Sequence, residues 1–309
     1  MSAQRNPGAA AVERYGWPRA HRWLLMRRAS QLLILGLFLL GPVAGVWLIK
    51  GNLASSLTLD WLPLSDPYVL VQSLFAGHVA AGTALLGALI VLAVYAAIGG
   101  RVYCAWVCPV NVVTDGAHWL RSRLDLQKGW QPKRNTRLWL LAATLAVSLA
   151  TGTIAWEFVN PVSMVFRGLV FGMGFAWVVV AAVFLFDLVV SRRGWCGHIC
   201  PVGAFYGLVG SASLLRVRAD RRAACDDCMD CFAVCPEPQV LTPALKGARH
   251  GRGPVILSSD CSNCGRCIDV CSQEVFRFGT RFNNRTWSDL PEPEQRKGRN
   301  AASAPGVGT

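Results

Sequence analysis

Charged residues are scarce in this sequence: Asp, Glu, Lys and Arg make up 16% of its 309 residues, against 53% hydrophobic residues. That balance excludes an ordinary soluble domain, in which about a quarter of the residues are charged. The chain has no C-x2-C-H haem site and no facing pair of histidines in its apolar segments, which argues against haem as its electron carrier. The sequence also shows no nucleotide-binding glycine loop and no pair of nucleophile and base. These absences argue against a stand-alone catalytic enzyme.

Long apolar segments are what the sequence has in abundance. Four of them stand out, at residues 32–49, 75–98, 138–156 and 168–190. A helix needs about 20 apolar residues to cross the roughly 30 Å hydrocarbon core of a bilayer. Buried helices of a soluble core rarely stay apolar on every face for so long. The sequence therefore predicts an α-helical membrane protein with four transmembrane helices.

Lys and Arg are missing from residues 51–67, and the loop between the third and fourth apolar segments carries only Arg167. Basic residues instead crowd the N-terminal segment and the loops after the second and fourth segments. Because cytoplasmic loops carry the excess of Lys and Arg, we expect a multi-pass protein of the bacterial inner membrane with both termini in the cytoplasm. Topology then accounts for the net charge of +13, and no nucleic-acid partner is predicted.

Eight of the twelve cysteines form two runs with the spacing C-x2-C-x2-C-x3-C. Two such runs are typical of a bacterial ferredoxin with two [4Fe-4S] clusters, in which the fourth cysteine of each run ligates the other cluster. We therefore predict a C-terminal ferredoxin domain of α+β structure in the cytoplasm. Its first cluster is assigned to Cys225, Cys228, Cys231 and Cys271, and its second to Cys261, Cys264, Cys267 and Cys235.

Two other uses fit these eight cysteines less well. Structural zinc would take sets such as two C-x2-C pairs and would leave the remaining cysteines of each run without a role. Disulfides require an oxidising compartment, whereas the basic residues put this domain in the cytoplasm. The second run is followed by Ser272, where a proline is usual, but this departure removes no ligand.

The remaining four cysteines belong to a duplicated motif, CxxxCP. CAWVCP at 104–109 and CGHICP at 196–201 lie about 92 residues apart, and each follows a pair of apolar segments. This period predicts two parallel repeats, each a membrane hairpin that ends in CxxxCP at the cytoplasmic surface. Residues 1–12 are expected to be mobile. The predicted organisation is a cytoplasmic N-terminal segment (1–30), two hairpin repeats (31–123 and 124–217), the ferredoxin domain (218–280) and a mobile tail (281–309).

Packing of the two repeats about a common axis would bring the four CxxxCP cysteines together: Cys104, Cys108, Cys196 and Cys200. The proline of each motif favours a helix start directly after the second cysteine. At such a start the helix macrodipole stabilises a thiolate, which we expect for Cys108 and Cys200. Two hypotheses follow, a further metal centre or a dithiol relay. Structural thiols in a close-packed turn are the alternative.

The apolar segments, the CxxxCP motifs and the ferredoxin runs together resemble the NapH family, the membrane ferredoxin-type subunits of periplasmic nitrate reductase systems. The resemblance covers residues of about 15–285 and includes YCAWVCPVN, WEFVNPVSM, GWCGHICPVGAFYG and CMDCFAVCPEPQVL. It implies a component of a quinol dehydrogenase that acts with a NapG-like ferredoxin-type protein. The electrons would reach the nitrate reductase NapAB, through a NapC-like cytochrome in some systems. It also implies that the eight ferredoxin cysteines are cluster ligands.

Quinol oxidation needs hydrogen-bond partners for the quinol oxygens and a base for the protons. On the predicted periplasmic side the candidates are His78, Asp66 and Glu157, together with Trp61 and Arg167. A lone histidine near a helix end is more often a packing or capping residue, which is the alternative for His78.

Asp187 is an acidic side chain inside the fourth apolar segment, where ionisable groups are costly and tend to be functional. It is either a proton relay or an ion-pair partner of Arg192 or Arg193. Because nothing visible in the sequence carries electrons across the bilayer, a second function stays open. That alternative is a membrane scaffold or redox-responsive maturation factor for a periplasmic reductase.

Overall fold

The computed structural model describes residues 6–126, 129–130 and 132–283. The chain divides into two compact units. The ferredoxin unit comprises Met1–Leu24, Leu214–Cys261 and Gly265–Thr309, and the helical unit comprises Leu25–Ser213 and Ser262–Cys264. Of the predicted mobile tail, residues 284–309 lie outside the described residues.

Helices dominate both units. The α-helices are α1 (Ala9–Tyr15), α2 (Trp17–Ala20), α3 (Arg22–Ala44), α4 (Pro67–Phe75), α5 (Gly82–Ile98), α6 (Val110–Arg123), α7 (Thr136–Thr151), α8 (Pro161–Phe171), α9 (Gly174–Leu185), α10 (Pro201–Val209), α11 (Asp230–Val234), α12 (Leu241–Lys246) and α13 (Arg266–Asp269). The strands are β1 (Ile49–Gly51), β2 (Ser55–Thr58), β3 (Leu62–Ser65), β4 (Leu215–Arg218) and β5 (Arg277–Thr280). Three π-helical turns cover Tyr103–Val107, Phe186–Val190 and Trp195–Ile199.

Within the described ranges, α3 is the one helix long and apolar enough to cross a membrane by length and composition. The shorter apolar helices are Gly82–Ile98, Thr136–Thr151, Pro161–Phe171 and Gly174–Val190. The prediction of unbroken helices over 75–98 and 168–190 is wrong, because the chain breaks between α4 and α5 and again between α8 and α9. Gly172, with a φ of 63°, ends α8 in the left-handed conformation that terminates helices. The four-span topology stays a prediction.

The helical unit contains the same order of elements twice. A long helix (α3 or α7) is followed by a short one (α4 or α8), an apolar helix (α5 or α9), a π-helical turn at the CxxxCP motif and a final helix (α6 or α10). Both short helices begin alike: Asp66 accepts a hydrogen bond from Tyr68 N, and Asn160 accepts one from Val162 N. A proline follows each capping residue, and this pair of residues strongly favours a helix start.

Helix α4 of the first repeat packs beside α7 of the second. Tyr68 Oη lies 2.7 Å from Thr144 Oγ1, and Ser148 Oγ donates to Gln72 Oε1 over 3.4 Å. Each pair is separated by 76 residues, so the two helices run parallel. Tyr68, Gln72 and Ser148 are fully buried, which makes this a polar seam inside the unit.

Residues 51–67, a loop in the sequence-based prediction, form most of a three-stranded antiparallel sheet in the order β1-β2-β3. Strand β3 packs against α5 at Gly87, where an added Cβ would lie 2.9 Å from Pro63 O. The close approach therefore requires glycine. Leu59 and Asp60, both with positive φ, form the turn between β2 and β3.

The two repeats meet where α5 ends against α10. A Cβ on Gly100 would lie 1.7 Å from Tyr206 O and 2.5 Å from Gly210 N, so no side chain fits there. The Tyr206 ring stacks on Tyr103 with centroids 4.8 Å apart. Tyr103, just before the first CxxxCP motif, is thereby packed on α10, the helix that follows the second motif.

In the ferredoxin unit, β4 and β5 pair antiparallel over a small apolar core. Helices α11 and α13 each follow a left-handed residue, Met229 and Gly265 respectively. The buried core includes Val217, Leu241, Ile256, Val275 and Phe276.

The N-terminal segment is packed on the ferredoxin unit rather than mobile over residues 6–12. Gly8 N donates to Asp230 Oδ2 over 2.9 Å. Arg14 Nη1 and Tyr15 Oη both donate to Ser272 O over 2.8 Å. Because Asp230 lies inside the first cysteine run and Ser272 directly follows the second, the segment links the two runs.

Candidate iron-sulfur sites

The two CxxxCP motifs meet in the helical unit. Their four cysteines line one small cavity, which Trp156, Asn160 and Trp195 also line. The cysteines are Cys104, Cys108, Cys196 and Cys200. The two repeats therefore contribute cysteines to one shared site.

The second cysteine of each motif has the same backbone geometry. Cys108 N donates to Tyr103 O over 3.0 Å, and Cys200 N donates to Trp195 O over 2.8 Å, which closes a wide turn of π type. Cys108 has φ −64° and ψ 119°, and Cys200 has φ −64° and ψ 114°. The extended backbone at these residues ends the turn and leads into α6 and α10.

Buried donors hold both turns. Gln31 Nε2 donates to Ala105 O over 3.0 Å, and Arg137 Nη1 donates to Gly197 O over 3.5 Å. These two carbonyls belong to equivalent positions, one residue after the first cysteine of each motif. Arg101, from the first repeat, donates through Nη2 to Cys196 O of the second over 3.0 Å.

Burial raises the pKa of all four thiols, that of Cys200 to about 12. The backbone N–H groups at the starts of α6 and α10 lower the pKa of Cys108 and Cys200, but burial outweighs them. The prediction that the macrodipole keeps these two cysteines as thiolates is therefore wrong for the free thiols. Thiolates at this site require a strong positive charge beside them.

Two tryptophans, Trp156 and Trp195, form a wall of the cavity. Trp156 is buried, and its ring stacks on that of Trp195 with centroids 6.4 Å apart. Trp195 N donates to Asp187 Oδ1 over 2.9 Å. Asp187 is fully buried, so its carboxylate fixes the start of the second CxxxCP turn.

The first predicted cluster site is assembled in the ferredoxin unit. Its four cysteines line one cavity with Phe232, Val270 and Phe276. Burial raises the pKa of Cys231 to about 12, and the neighbouring cysteines add to the shift. The ligands brought together in this way are Cys225, Cys228, Cys231 and, from the second run, Cys271.

Three of the four cysteines predicted for the second cluster belong to the ferredoxin unit. Cys235, Cys261 and Cys267 pack in the core of the ferredoxin unit. Cys264 is buried and, with Ser262 and Asn263, belongs to the helical unit. Across the described residues, no three His, Cys, Asp or Glu side chains are grouped closely enough for a single metal ion.

The three quinol candidates have different surroundings. His78 is exposed, and its Nε2 lies 3.2 Å from Gly152 O. Glu157 accepts from Asn160 Nδ2 over 3.1 Å and pairs with Arg167 at 3.6 Å.

Asp66, the third candidate, is buried and accepts hydrogen bonds from Tyr68 N and from Tyr206 Oη, the latter over 3.2 Å. It lies outside the four predicted spans, and burial raises the pKa of its carboxyl to about 6. The Tyr206 and Tyr68 hydrogen bonds oppose this shift, and the charge of Glu157 adds to it.

Sequence reasoning missed Arg101 and Arg137 as site residues. It counted both among the basic residues that indicate a cytoplasmic loop. Both are buried, at 4% and 8% exposure. The only signal was position, since Arg101 lies three residues before Cys104.

Family models match both cysteine regions. A model described as a 4Fe-4S binding domain matches twice, at residues 80–127 and 173–221, so each match contains one CxxxCP motif. A model described as a 4Fe-4S dicluster domain matches residues 224–285, which contain both ferredoxin runs. The predicted duplication and the predicted ferredoxin domain thus coincide with separate family matches.

Three curated relatives match nearly the whole chain. The methylamine utilization ferredoxin-type protein MauN of Methylorubrum extorquens is 55% identical over 91% of this chain and 96% of its own, and MauN of Paracoccus denitrificans is 57% identical over 88% and 95%. The ferredoxin-type protein NapH of Escherichia coli is 50% identical over 91% and 97%. The chain belongs to the NapH and MauN family of ferredoxin-type proteins.

Membership of the NapH and MauN family confirms the resemblance to NapH. With the 4Fe-4S matches, it makes the chain a ferredoxin-type iron-sulfur protein of electron transport. No solved structure matches the chain.

Asp66→Asn should raise the melting temperature of the purified protein at pH 7 by about 2 °C or more. Because the folded-state pKa of Asp66 is raised to about 6, its stabilising contribution is complete below the unfolded value near 4 and is lost as the pH rises through 6. Asn keeps the helix cap and cannot ionise. The measurement is thermal unfolding in detergent at pH 4.5 and pH 7.

Asn160→Asp is the matched control, because Asn160 caps α8 as Asp66 caps α4. It should lower the melting temperature at pH 7. An Asp66→Asn protein that melts below the wild type at pH 7 contradicts this account of Asp66.

Proposed function

We propose that the chain is a membrane iron-sulfur subunit that passes electrons from quinol, with a NapG-like ferredoxin-type partner, toward periplasmic nitrate reductase. The electron-transfer part is supported by the 4Fe-4S matches and by NapH among the relatives. A NapC-like cytochrome and NapAB are the later carriers in this scheme.

Apolar outer faces support the membrane location. Helices α3, α7 and α9 are proposed to span the inner membrane together with α5, with both termini in the cytoplasm. Large apolar side chains on these helices would contact lipid. The most exposed of them, all more than 60% exposed, include Leu32, Leu33, Trp139, Leu149, Phe175 and Val178.

The observation that carries the proposal is the shared cavity of the four CxxxCP cysteines. Each pair lies inside a match to a 4Fe-4S binding domain, and both pairs line the same cavity. Four thiolates are the usual ligand set of a [4Fe-4S] cluster. We therefore place a third cluster at these cysteines, in addition to the two of the ferredoxin domain.

The purified protein, assembled under anaerobic conditions, should contain about twelve irons and as many acid-labile sulfides per chain, four for each of three clusters. Replacing Cys196 and Cys200 with serine should lower both to about eight. Thr114→Val is the control, because Thr114 Oγ1 lies 3.9 Å from Cys196 Sγ but is not a proposed ligand. A wild-type count of about eight that the serine variant does not lower excludes the third cluster.

Reduced quinol should reduce the clusters when it is added to the purified protein with its ferredoxin-type partner. Asp66 is a candidate base for the released protons because it is a buried carboxylate bonded to Tyr206 Oη. Electron paramagnetic resonance measures the reduction, and the oxidised quinone serves as control. Intact clusters that stay oxidised would favour the scaffold or maturation factor instead.

Methylamine utilisation is a second candidate pathway. Two relatives named for it are 55% and 57% identical to this chain, against 50% for NapH of Escherichia coli. Deletion of the gene should separate the two pathways in the organism that carries it. Loss of growth on methylamine with nitrate respiration intact favours the MauN-like role, and the reverse result favours the NapH-like role.

A further inference from the structure

Two buried arginines, Arg101 and Arg137, donate hydrogen bonds to neighbouring carbonyls of the second CxxxCP motif, Cys196 O and Gly197 O. We propose that they are positioning residues whose charge raises the reduction potential of the cluster held there above that of the first ferredoxin cluster. This inference rests on the third cluster of the proposed function.

Arg101 links the two motifs. It precedes the first motif in the chain and donates to Cys196 O of the second motif over 3.0 Å. Arg101 is 4% exposed. This buried guanidinium of the first repeat therefore holds the backbone of the motif in the second repeat.

Arg137 occupies a place that the other repeat fills with a neutral side chain. Arg137, on α7, donates to Gly197 O, whereas Gln31, on α3, donates to the equivalent Ala105 O. Holding the turn therefore does not require a charge. Burying a charged guanidinium costs more free energy than burying a neutral amide. The charge of Arg137 must therefore stabilise another group nearby.

The start of α8 adds to the positive field. Asn160, Pro161 and Val162 line the cavity together with the four cysteines. Helix α8 has 11 residues, and its N-terminal end carries the positive part of the macrodipole.

The cavity of the first ferredoxin cluster has the opposite charge. Asp226 and Asp227 line it, and none of its lining residues among those described is basic. Asp227 pairs with Lys246 at 2.9 Å, while Asp226 accepts from Cys228 N over 3.3 Å. The first ferredoxin site therefore has acidic side chains in its lining, whereas two arginines bond to backbone carbonyls of the second CxxxCP turn. Asp187, which accepts from Trp195 N over 2.9 Å, opposes their charge in part.

Cations beside a four-thiolate cluster favour its reduced state. Such a cluster is anionic, and each added electron makes it more negative, so a buried positive charge stabilises the reduced form more than the oxidised form. The guanidinium group of arginine is not deprotonated in proteins, so uptake of one electron from a chemical reductant involves no proton transfer from it.

The test is a redox titration of the full-length protein with dithionite, followed by electron paramagnetic resonance. The signal lost in Cys196→Ser identifies the CxxxCP cluster. Its wild-type potential should lie above that of the signal lost in Cys225→Ser. In Arg137→Gln, which copies Gln31, the reduction equilibrium should shift at least about tenfold toward the oxidised form, about 59 mV for one electron.

Two further variants separate charge from shape. Arg137→Lys keeps the charge and should keep the wild-type potential. Arg121→Gln is the control, because Arg121 is also buried in the helical unit but donates to Leu188 O over 2.7 Å. It should leave the potential unchanged, and Arg101→Gln should lower it as Arg137→Gln does.

Each outcome decides a different point. Absence of the CxxxCP signal in the wild type overturns the proposed function and this inference with it. A CxxxCP signal that keeps its wild-type potential in both Arg→Gln variants overturns only the role of the charges. Loss of the signal in Arg137→Gln but not in Arg137→Lys supports the role of the charge. Loss of the signal in both variants overturns that role and shows that the site needs the shape of the arginine side chain.

Discussion

The backbone crossing of Gly100 and Tyr206 fixes how the two repeats of the helical unit meet, and the cysteine cavity depends on it. Tyr206 belongs to the helix that follows the second motif, its ring stacks on Tyr103 beside the first motif, and its hydroxyl bonds to Asp66 at the start of α4. One close approach therefore orients both motifs and a short helix. Neither repeat alone can supply the four-cysteine site.

The duplicated backbone carries unequal charges. Asp66 and Asn160 cap equivalent helices, and Gln31 and Arg137 hold equivalent turns. The repeats share their helix starts and their π-helical turns because these depend on proline position and local spacing, which duplication preserves. Single substitutions can change charge without disturbing that backbone. The result is a cavity with near-twofold geometry and an asymmetric electric field.

Cysteine spacing was enough to predict which four cysteines meet at the first ferredoxin cavity, including Cys271 from the second run, because that spacing reflects cluster geometry. The spacing of about 92 residues between the two repeats likewise predicted that the four CxxxCP cysteines meet. Apolar composition could not show where helices break, since a short helix such as α8 is as apolar as a spanning one. The thiolate prediction failed for Cys108 and Cys200 because the sequence does not reveal how deeply a thiol is buried.

The docking of the N-terminal segment has a consequence for biosynthesis. Gly8 bonds to Asp230, 222 residues later, and Arg14 to Ser272, 258 residues later. At roughly 5–20 residues per second, a ribosome makes these partners tens of seconds after the segment itself. The ferredoxin unit can therefore close only after its second cysteine run has been synthesised, so its iron and sulfide must be delivered after that run has left the ribosome.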